Sequence, residues 1–108
     1  MGVLDALNLD GMNVVITGGG TGLGLEMVRG MAEAGANIAI AGRRQGPIDE
    51  AADMVKSHGR KSMAISTDVT DTAAVNSLFE TVLAEWGDVH VLFNNAGIVR
   101  ETGRPPLW

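Results

Sequence analysis

Cysteine and tyrosine are both missing from this sequence of 108 residues. Without cysteine the chain can form neither a disulfide nor a thiolate metal site, which agrees with a reducing, cytoplasmic environment. The only two histidines, His58 and His90, are far apart in sequence and lack ligand-spaced partners. We therefore predict no metal site.

Long apolar runs and an excess of positive charge are missing as well. No stretch reaches the length of a membrane span, and the first eleven residues lack the basic and apolar blocks of a secretory signal. The formal net charge of −5 argues against nucleic acid as the main partner. With 45% hydrophobic and 19% charged residues, the composition is that of one globular domain or part of one.

Apolar runs alternate along the chain with segments of helical periodicity. The runs predict strands at 12–17, 36–41, 62–67 and 89–94. The segments between them predict a helix from Leu23, a helix over 47–59, and a helix from an N-cap at Thr70 to Gly87. Aliphatic strands joined by helical crossovers predict an α/β fold with a doubly wound parallel sheet of the Rossmann type, in the strand order 3-2-1-4.

The second and third predicted helices carry the clearest positional signals. The second has Pro47 early and acidic residues in its first turn. The third has an apolar stripe at helical spacing, formed by Val75, Leu78, Phe79, Val82, Leu83 and Trp86. Beyond this helix, strand four would have one unpaired apolar edge. We therefore interpret residues 1–108 as an incomplete domain that self-associates, and we expect a homo-oligomer.

Five glycines lie within the segment TGGGTGLG, residues 17–24, directly after the first predicted strand. Glycine allows a tight turn and close approach of a ligand to the main chain, and a helix N-terminus attracts phosphate. The spacing is T-G-x-x-x-G-x-G, carried by Thr17, Gly18, Gly22 and Gly24. It fits neither G-x-G-x-x-G nor the P-loop. An ordinary turn that binds nothing is the alternative, but the position after strand one favours a pyrophosphate site.

The second predicted strand ends in AGRR, residues 41–44. Dinucleotide folds that prefer NAD carry an acid here, which holds the ribose 2′-hydroxyl. In this chain Gly42 leaves room, and the guanidinium of Arg43 or Arg44 can pair with a 2′-phosphate in a bidentate way. A solvated surface pair of arginines is the alternative. The sequence therefore favours NADP over NAD.

Four motifs together resemble those of the short-chain dehydrogenase/reductase family. They are TGGGTGLG (17–24), AGRR (41–44), DVTD (68–71) and NNAG (94–97), in the family's order and spacing. The resemblance extends from about residue 9 to residue 98. It implies that residues 1–108 are a partial dinucleotide-binding domain, β1 to β4 of a larger one.

The resemblance also implies which residues bind the cofactor. The backbone from Gly18 to Leu23 would cradle the pyrophosphate, and the residues assigned to this motif are Gly18, Gly20, Thr21, Gly22, Leu23 and Gly24. Arg43 would face the adenosine 2′-phosphate. Asp68 would accept a hydrogen bond from the adenine amine, with the Val69 backbone beside it. The ribose and nicotinamide side would be lined by Asn95, Ala96 and Gly97.

Two of these assignments have alternatives, and one observation argues against a third. Asp68 could instead cap the following helix together with Asp71, and Asn94 and Asn95 could form a turn that closes strand four. NADP-preferring members often carry a basic residue where this chain has Thr21, which weakens the NADP preference without reversing it.

The activity implied by the resemblance is hydride transfer between a nicotinamide and a small alcohol or carbonyl substrate, by an NADP-dependent oxidoreductase. The family's catalytic Ser, Tyr and Lys lie beyond the NNAG motif, and this chain ends about ten residues after it. Because the chain has no tyrosine, the family's proton donor is missing from it. We therefore assign no catalytic residue and expect the 108-residue chain to be inactive alone. A non-catalytic nucleotide-binding module and an inactive truncated product are the alternatives. A methyltransferase would share the fold, but its cofactor has no pyrophosphate.

Overall fold

Strands and helices alternate along the part of the chain that the computed structural model describes, residues 9–18 and 22–94. The elements are β1 (Asn13–Thr17), α1 (Gly22–Glu33), β2 (Asn37–Gly42), α2 (Gln45–Ser57), β3 (Ser62–Ser66), α3 (Thr72–Trp86) and β4 (Val91–Asn94). Every predicted strand and helix is present. Their ends differ from the predicted ends by one to two residues at most positions.

The four strands form one parallel sheet in the order β3-β2-β1-β4, which confirms the predicted doubly wound topology. Strand β1 lies between two neighbours, with Ile16 opposite Ile40 of β2 and Phe93 of β4. All five residues of β1 are buried. Among the described residues, β4 pairs with β1 alone.

Helices cover both faces of this sheet. On one face α1 and α2 pack over Val14, Ile16, Ile38 and Ile40, with the buried Val28, Met31, Ile48 and Val55. On the other face Leu78 and Val82 of α3 pack over Val15, Ala39 and Ala41. Successive residues of a strand point to opposite faces, so neighbouring residues of β1 supply both cores.

The apolar stripe of α3 is only partly covered. Leu78 and Val82 are buried, and Phe79 and Trp86 pack at the border of the same core. Periodicity groups Leu83 with these residues, yet its side chain is 46% exposed. In the described part of the chain α3 is the helix that covers this face, and it turns one narrow side toward the sheet.

The beginning of α3 differs from the prediction. The N-cap is Asp71, whose Oδ1 accepts hydrogen bonds from the main-chain N–H groups of Ala73 at 3.0 Å and Ala74 at 3.4 Å. The prediction of Thr70 as N-cap is therefore wrong. Both residue types can cap a helix, so sequence preference alone does not separate two neighbouring candidates.

The beginning of α2 also differs from the prediction. This helix starts at Gln45, so Pro47 is its third residue and the acidic residues Asp49 and Glu50 follow its first turn. The predicted acidic first turn is therefore wrong. The side chain of Asp49 instead accepts a hydrogen bond from Gln45 Nε2 at 2.7 Å.

Polar side chains hold the amino ends of the strands together. The Asn13 side chain donates to Asp88 Oδ1 at 2.7 Å and accepts from Asn37 Nδ2 at 3.0 Å. His90 precedes β4, and its Nδ1 accepts a hydrogen bond from the main-chain N–H of Asn13 at 2.9 Å. His90 therefore links β4 to β1 at the edge of the sheet opposite the glycine segment.

Two leucines of α3 test the described packing. We expect Leu78→Ala to lower the free energy of unfolding by about 2–5 kcal/mol, because it empties a fully buried site. Leu83→Ala makes the same chemical change on the same helix at a half-exposed site, and we expect it to cost under about 1 kcal/mol. Urea unfolding followed by circular dichroism measures both. An equal loss for the two variants would contradict the orientation of α3.

Candidate functional site

The carboxyl ends of the strands meet at one edge of the sheet, close to the glycine segment. Thr17 at the end of β1 lies opposite Ala41 of β2 on one side and Asn94 of β4 on the other. The chain leaves β1 toward β2 and reaches β4 by crossing to the opposite side, so this is the topological switch point of the sheet. Ligands of open α/β sheets bind in the crevice at such a point.

The turn after β1 uses glycine for its backbone conformation. Gly18 has a φ of 74°, and its N–H donates to Ala41 O at 2.8 Å, which continues the pairing with β2. Gly22, the first residue of α1, has a φ of 58°. Residues other than glycine rarely adopt such angles. Both glycines are therefore required by the path of the chain.

The same segment leaves space for a ligand at the beginning of α1. A Cβ atom built on Gly22 would have no neighbour within 4 Å, so the main chain is accessible there. The first turn of α1 contains no acidic side chain. A helix N-terminus that is exposed at its first residue and has no acidic side chain in its first turn suits an anionic group. Gly24 is buried in the same helix, as expected where a helix packs closely on a sheet.

Arg43 and Arg44 follow β2 and are both exposed. Arg44 occupies the N-cap position of α2, and Arg43 lies between the end of the strand and this cap. The backbone here is fixed from β3, because Ser66 Oγ donates to Arg43 O at 3.2 Å and Thr67 N donates to Gly42 O at 2.8 Å. The position of the Arg43 main chain is thus set by the neighbouring strand.

Asp68 lies in the turn after β3, and its carboxylate is bound within this turn. The Thr70 hydroxyl donates to Asp68 Oδ1 at 2.6 Å, and the Thr70 N–H donates to the same atom at 2.9 Å. These two bonds lower the pKa of Asp68, and the charge of Arg43 lowers it further. Helix capping, the alternative role for Asp68, belongs to Asp71 alone. Arg43 and Asp68 follow the neighbouring parallel strands β2 and β3 at the same edge of the sheet, and the half-buried Val69 comes next in the sequence.

The structure therefore places several of the predicted site residues at one edge of the sheet. The end of β1, the turn at Gly18, Arg43 after β2 and Asp68 after β3 share one edge of the sheet. Leu23 belongs to α1. The other predicted residues lie outside the described residues: Gly20, Thr21, Asn95, Ala96 and Gly97.

Ser66 and Thr67 support the candidate site by bonding the end of β2, and the sequence did not indicate them. Their hydrogen bonds reach residues more than twenty positions earlier, across the β2–β3 pairing. The register of that pairing, with Gly42 opposite Ser66, creates the contact. For Ser66 the signal in the sequence is a hydroxyl residue at the end of a strand, which is common in turns and points to no particular partner. The bond from Thr67 comes from its main-chain N–H, which no side-chain pattern indicates.

Two further features are absent from residues 9–18 and 22–94. No group of three His, Asp or Glu side chains there could hold a metal ion. Within the same residues, no helix combines the length and apolar character needed to cross a bilayer.

Comparison with known proteins gives consistent matches over nearly the whole chain. The family model described as short chain dehydrogenase matches residues 12–106. An NADP-dependent mannitol dehydrogenase of Aureobasidium melanogenum is 34% identical over 105 residues, which cover 94% of this chain and 40% of that protein. The chain spans between 30% and 40% of the length of the curated relatives that it matches.

Solved structures show the same similarity in three dimensions. A short-chain type dehydrogenase/reductase from Mycobacterium marinum has a TM-score of 0.81 and 36% identity, over 93% of this chain and 40% of that one. A short chain dehydrogenase/reductase from Burkholderia phymatum in complex with NAD has a TM-score of 0.79 and 34% identity, over 85% of this chain and 33% of that one.

The titration of Asp68 tests the geometry of this turn. Because the folded protein holds Asp68 at a lowered pKa, its bonds to Thr70 stabilise the fold above the ordinary carboxyl pKa. This contribution is lost as the pH falls through the lowered value. We expect Thr70→Val, which removes the hydroxyl and keeps the N–H, to move the pKa of Asp68 back toward its ordinary value.

Carboxyl ¹³C chemical shifts followed against pH measure this change. Thr72→Val alters an exposed threonine two residues further along and should leave the titration of Asp68 as it is. An unchanged pKa of Asp68 in Thr70→Val would contradict the described hydrogen bond.

Proposed function

We propose that this chain, which belongs to the short-chain dehydrogenase/reductase family, binds a nicotinamide dinucleotide across the glycine-bearing edge of its sheet. The observation that carries the proposal is the turn at the end of β1. Gly18 and Gly22 have positive φ angles, and the main chain is accessible where α1 begins without an acidic side chain. An anionic pyrophosphate suits this arrangement.

The pyrophosphate would be held by the main chain rather than by charged side chains. The proposed cradle runs from Gly18 to Leu23 and includes Gly20, Thr21 and Gly22, with Gly24 packing the helix onto the sheet. Amide donors at a helix N-terminus need no lysine, which agrees with the absence of one from this segment. Asn95, Ala96 and Gly97 follow β4 in the sequence, and we propose that they line the ribose and nicotinamide side.

We propose NADP as the preferred cofactor, with NAD as the alternative. Arg43 is exposed at the end of β2, and no carboxylate is present at position 42 to accept a bond from a ribose 2′-hydroxyl. The mannitol dehydrogenase named above is NADP-dependent, whereas the Burkholderia phymatum structure contains NAD. Because these two relatives differ in cofactor, the preference depends on this chain's own residues, and the charge of Arg43 supports NADP.

Asp68 and Val69 would lie on the adenine side of the proposed site. The Thr70 bonds lower the pKa of Asp68 and fix the direction of its carboxylate. An ionised carboxylate held in this way can accept a hydrogen bond from an exocyclic amine without reorganising.

The proposed reaction is that of an oxidoreductase acting on a small alcohol or carbonyl compound. When bound, the nicotinamide would supply or accept the hydride. The developing alkoxide also needs a proton donor, and these 108 residues contain no tyrosine to act as one. We therefore propose that this part of the protein binds and orients the cofactor and is inactive alone. The cytoplasmic location and the homo-oligomeric state stay predictions from the sequence.

Cofactor titration with a charge variant tests this proposal. We expect the unaltered chain to bind NADPH more tightly than NADH. Arg43→Ala should weaken NADPH binding by about 10-fold to 100-fold, because charge-assisted hydrogen bonds contribute about 1.5–3 kcal/mol. NADH binding should change by less than about 3-fold, since NADH has no 2′-phosphate for the arginine to contact.

Fluorescence of the reduced nicotinamide measures both affinities. Arg29→Ala removes an exposed arginine from the middle of α1, where it pairs with Glu26, and should affect neither cofactor. Tighter binding of NADH than NADPH by the unaltered chain, or an equal loss of both in Arg43→Ala, would contradict the NADP preference.

A further inference from the structure

We infer that Ile48 is a positioning residue for cofactor preference, because it keeps the end of β2 free of any side chain at position 42. The inference rests on the proposed function and extends it from the exposed arginine to the packing beneath it. Arg43 provides the positive charge that favours NADP. Ile48 excludes from position 42 the carboxylate that would favour NAD.

The contact between Gly42 and Ile48 carries this inference. A Cβ atom built on Gly42 would lie 2.9 Å from Ile48 Cγ2, which is closer than carbon atoms pack without repulsion. Ile40, two residues earlier in β2, packs in the same core as Ile48. Residue 42 therefore directs its side-chain position toward the α1 and α2 face. Any residue other than glycine at this position would press on Ile48.

Ile48 has little freedom to move away. It is 2% exposed and belongs to the buried core between α2 and the sheet. Its Cγ2 is bonded directly to the β-carbon of a helical residue, where β-branched side chains keep one strongly preferred rotamer. The methyl group therefore cannot turn aside as the end of a long side chain could.

The backbone of Gly42 is fixed as well. It lies opposite Ser66 in the register of β2 and β3, and its carbonyl accepts a hydrogen bond from Thr67 N at 2.8 Å. The next carbonyl, that of Arg43, accepts one from Ser66 Oγ at 3.2 Å. With both sides of the contact held, a new side chain at position 42 must displace either the helix or the strand end.

This packing has a direct consequence for the ribose site. A carboxylate at the end of β2 can accept a hydrogen bond from a ribose 2′-hydroxyl and repels a 2′-phosphate. The contact with Ile48 leaves no room for a carboxylate side chain at residue 42 while the strand and the helix keep their positions. Ile48 therefore acts on the cofactor through residue 42, without touching the cofactor itself.

Gly42→Ala tests the steric part, because it adds the Cβ atom and no charge. An alanine in open space at an ordinary φ would stabilise the chain relative to glycine. We expect the opposite here, a Tm lowered by about 5–15 °C through overpacking. Gly46→Ala is the matched control. Its added Cβ meets nothing within 4 Å, and the Tm should rise by a few degrees, of order 2–6 °C.

Two variants of Ile48 distinguish the effect of the branch at its β-carbon from the effect of its side-chain size. Ile48→Val keeps the branch and removes only the terminal methyl, so Gly42→Ala should lower the Tm in this background as it does in the unaltered chain. Ile48→Leu removes the branch at nearly constant volume and should cancel at least about half of the loss. A rise in Tm for Gly42→Ala alone, or the same loss in the Ile48→Val and Ile48→Leu backgrounds, would overturn the inference.

Gly42→Asp then tests the effect on cofactor preference. With Ile48 present, the carboxylate is displaced, and we expect the ratio of NADPH to NADH affinities to change by less than about 3-fold. With Ile48→Leu, the ratio should shift toward NADH by about 10-fold or more. A full shift from Gly42→Asp alone would contradict the role of Ile48.

The two proposals fail in different ways. If the unaltered chain binds neither NADPH nor NADH, the proposed function is wrong, and the role of Ile48 in cofactor preference is wrong with it. If both cofactors bind and Gly42→Asp shifts the ratio equally with and without the Ile48→Leu substitution, the inference alone is wrong.

Discussion

The pairing of β1 on both sides is the constraint on which the rest of the structure depends. Its main chain is hydrogen-bonded to β2 and β4, and its side chains enter both cores, so its position allows little adjustment. The bond from Gly18 N to Ala41 O extends the hydrogen bonding between β1 and β2 one residue beyond the end of β1. Helix α1 begins four residues later at the exposed Gly22, after the strand at which the sheet order changes direction.

The sequence predicted the fold because its signals are distributed over whole segments. Aliphatic runs and helical periods are averaged over many residues, and right-handed crossovers leave few strand orders. The errors lie at single positions. Thr70 and Asp71 are adjacent residues that can both cap a helix, and only the geometry shows that Asp71 does so. Leu83 fits the apolar period of α3, but the width of the covered side depends on how the helix lies on the sheet.

The candidate site was predictable where it depends on local chemistry and not where it depends on register. A glycine turn after a strand and arginines after the next strand are visible in the sequence, and the structure places them at one edge. The bonds from Ser66 and Thr67 to the β2 end, and the contact between Gly42 and Ile48, join residues from separate elements. The proposed cofactor preference thus rests on buried packing that no local motif records. The described residues include those proposed for the adenosine side of the site, and the chain spans about 30–40% of the length of the curated relatives named with it.

The central claim is that main-chain amides at the beginning of α1 hold a dinucleotide pyrophosphate. A crystal structure of the chain grown with NADPH tests it most directly. The account predicts pyrophosphate oxygens within about 3 Å of main-chain nitrogens between Gly18 and Leu23, the usual distance of an N–H···O bond. A cofactor bound elsewhere, or one held there only by side chains, would contradict it.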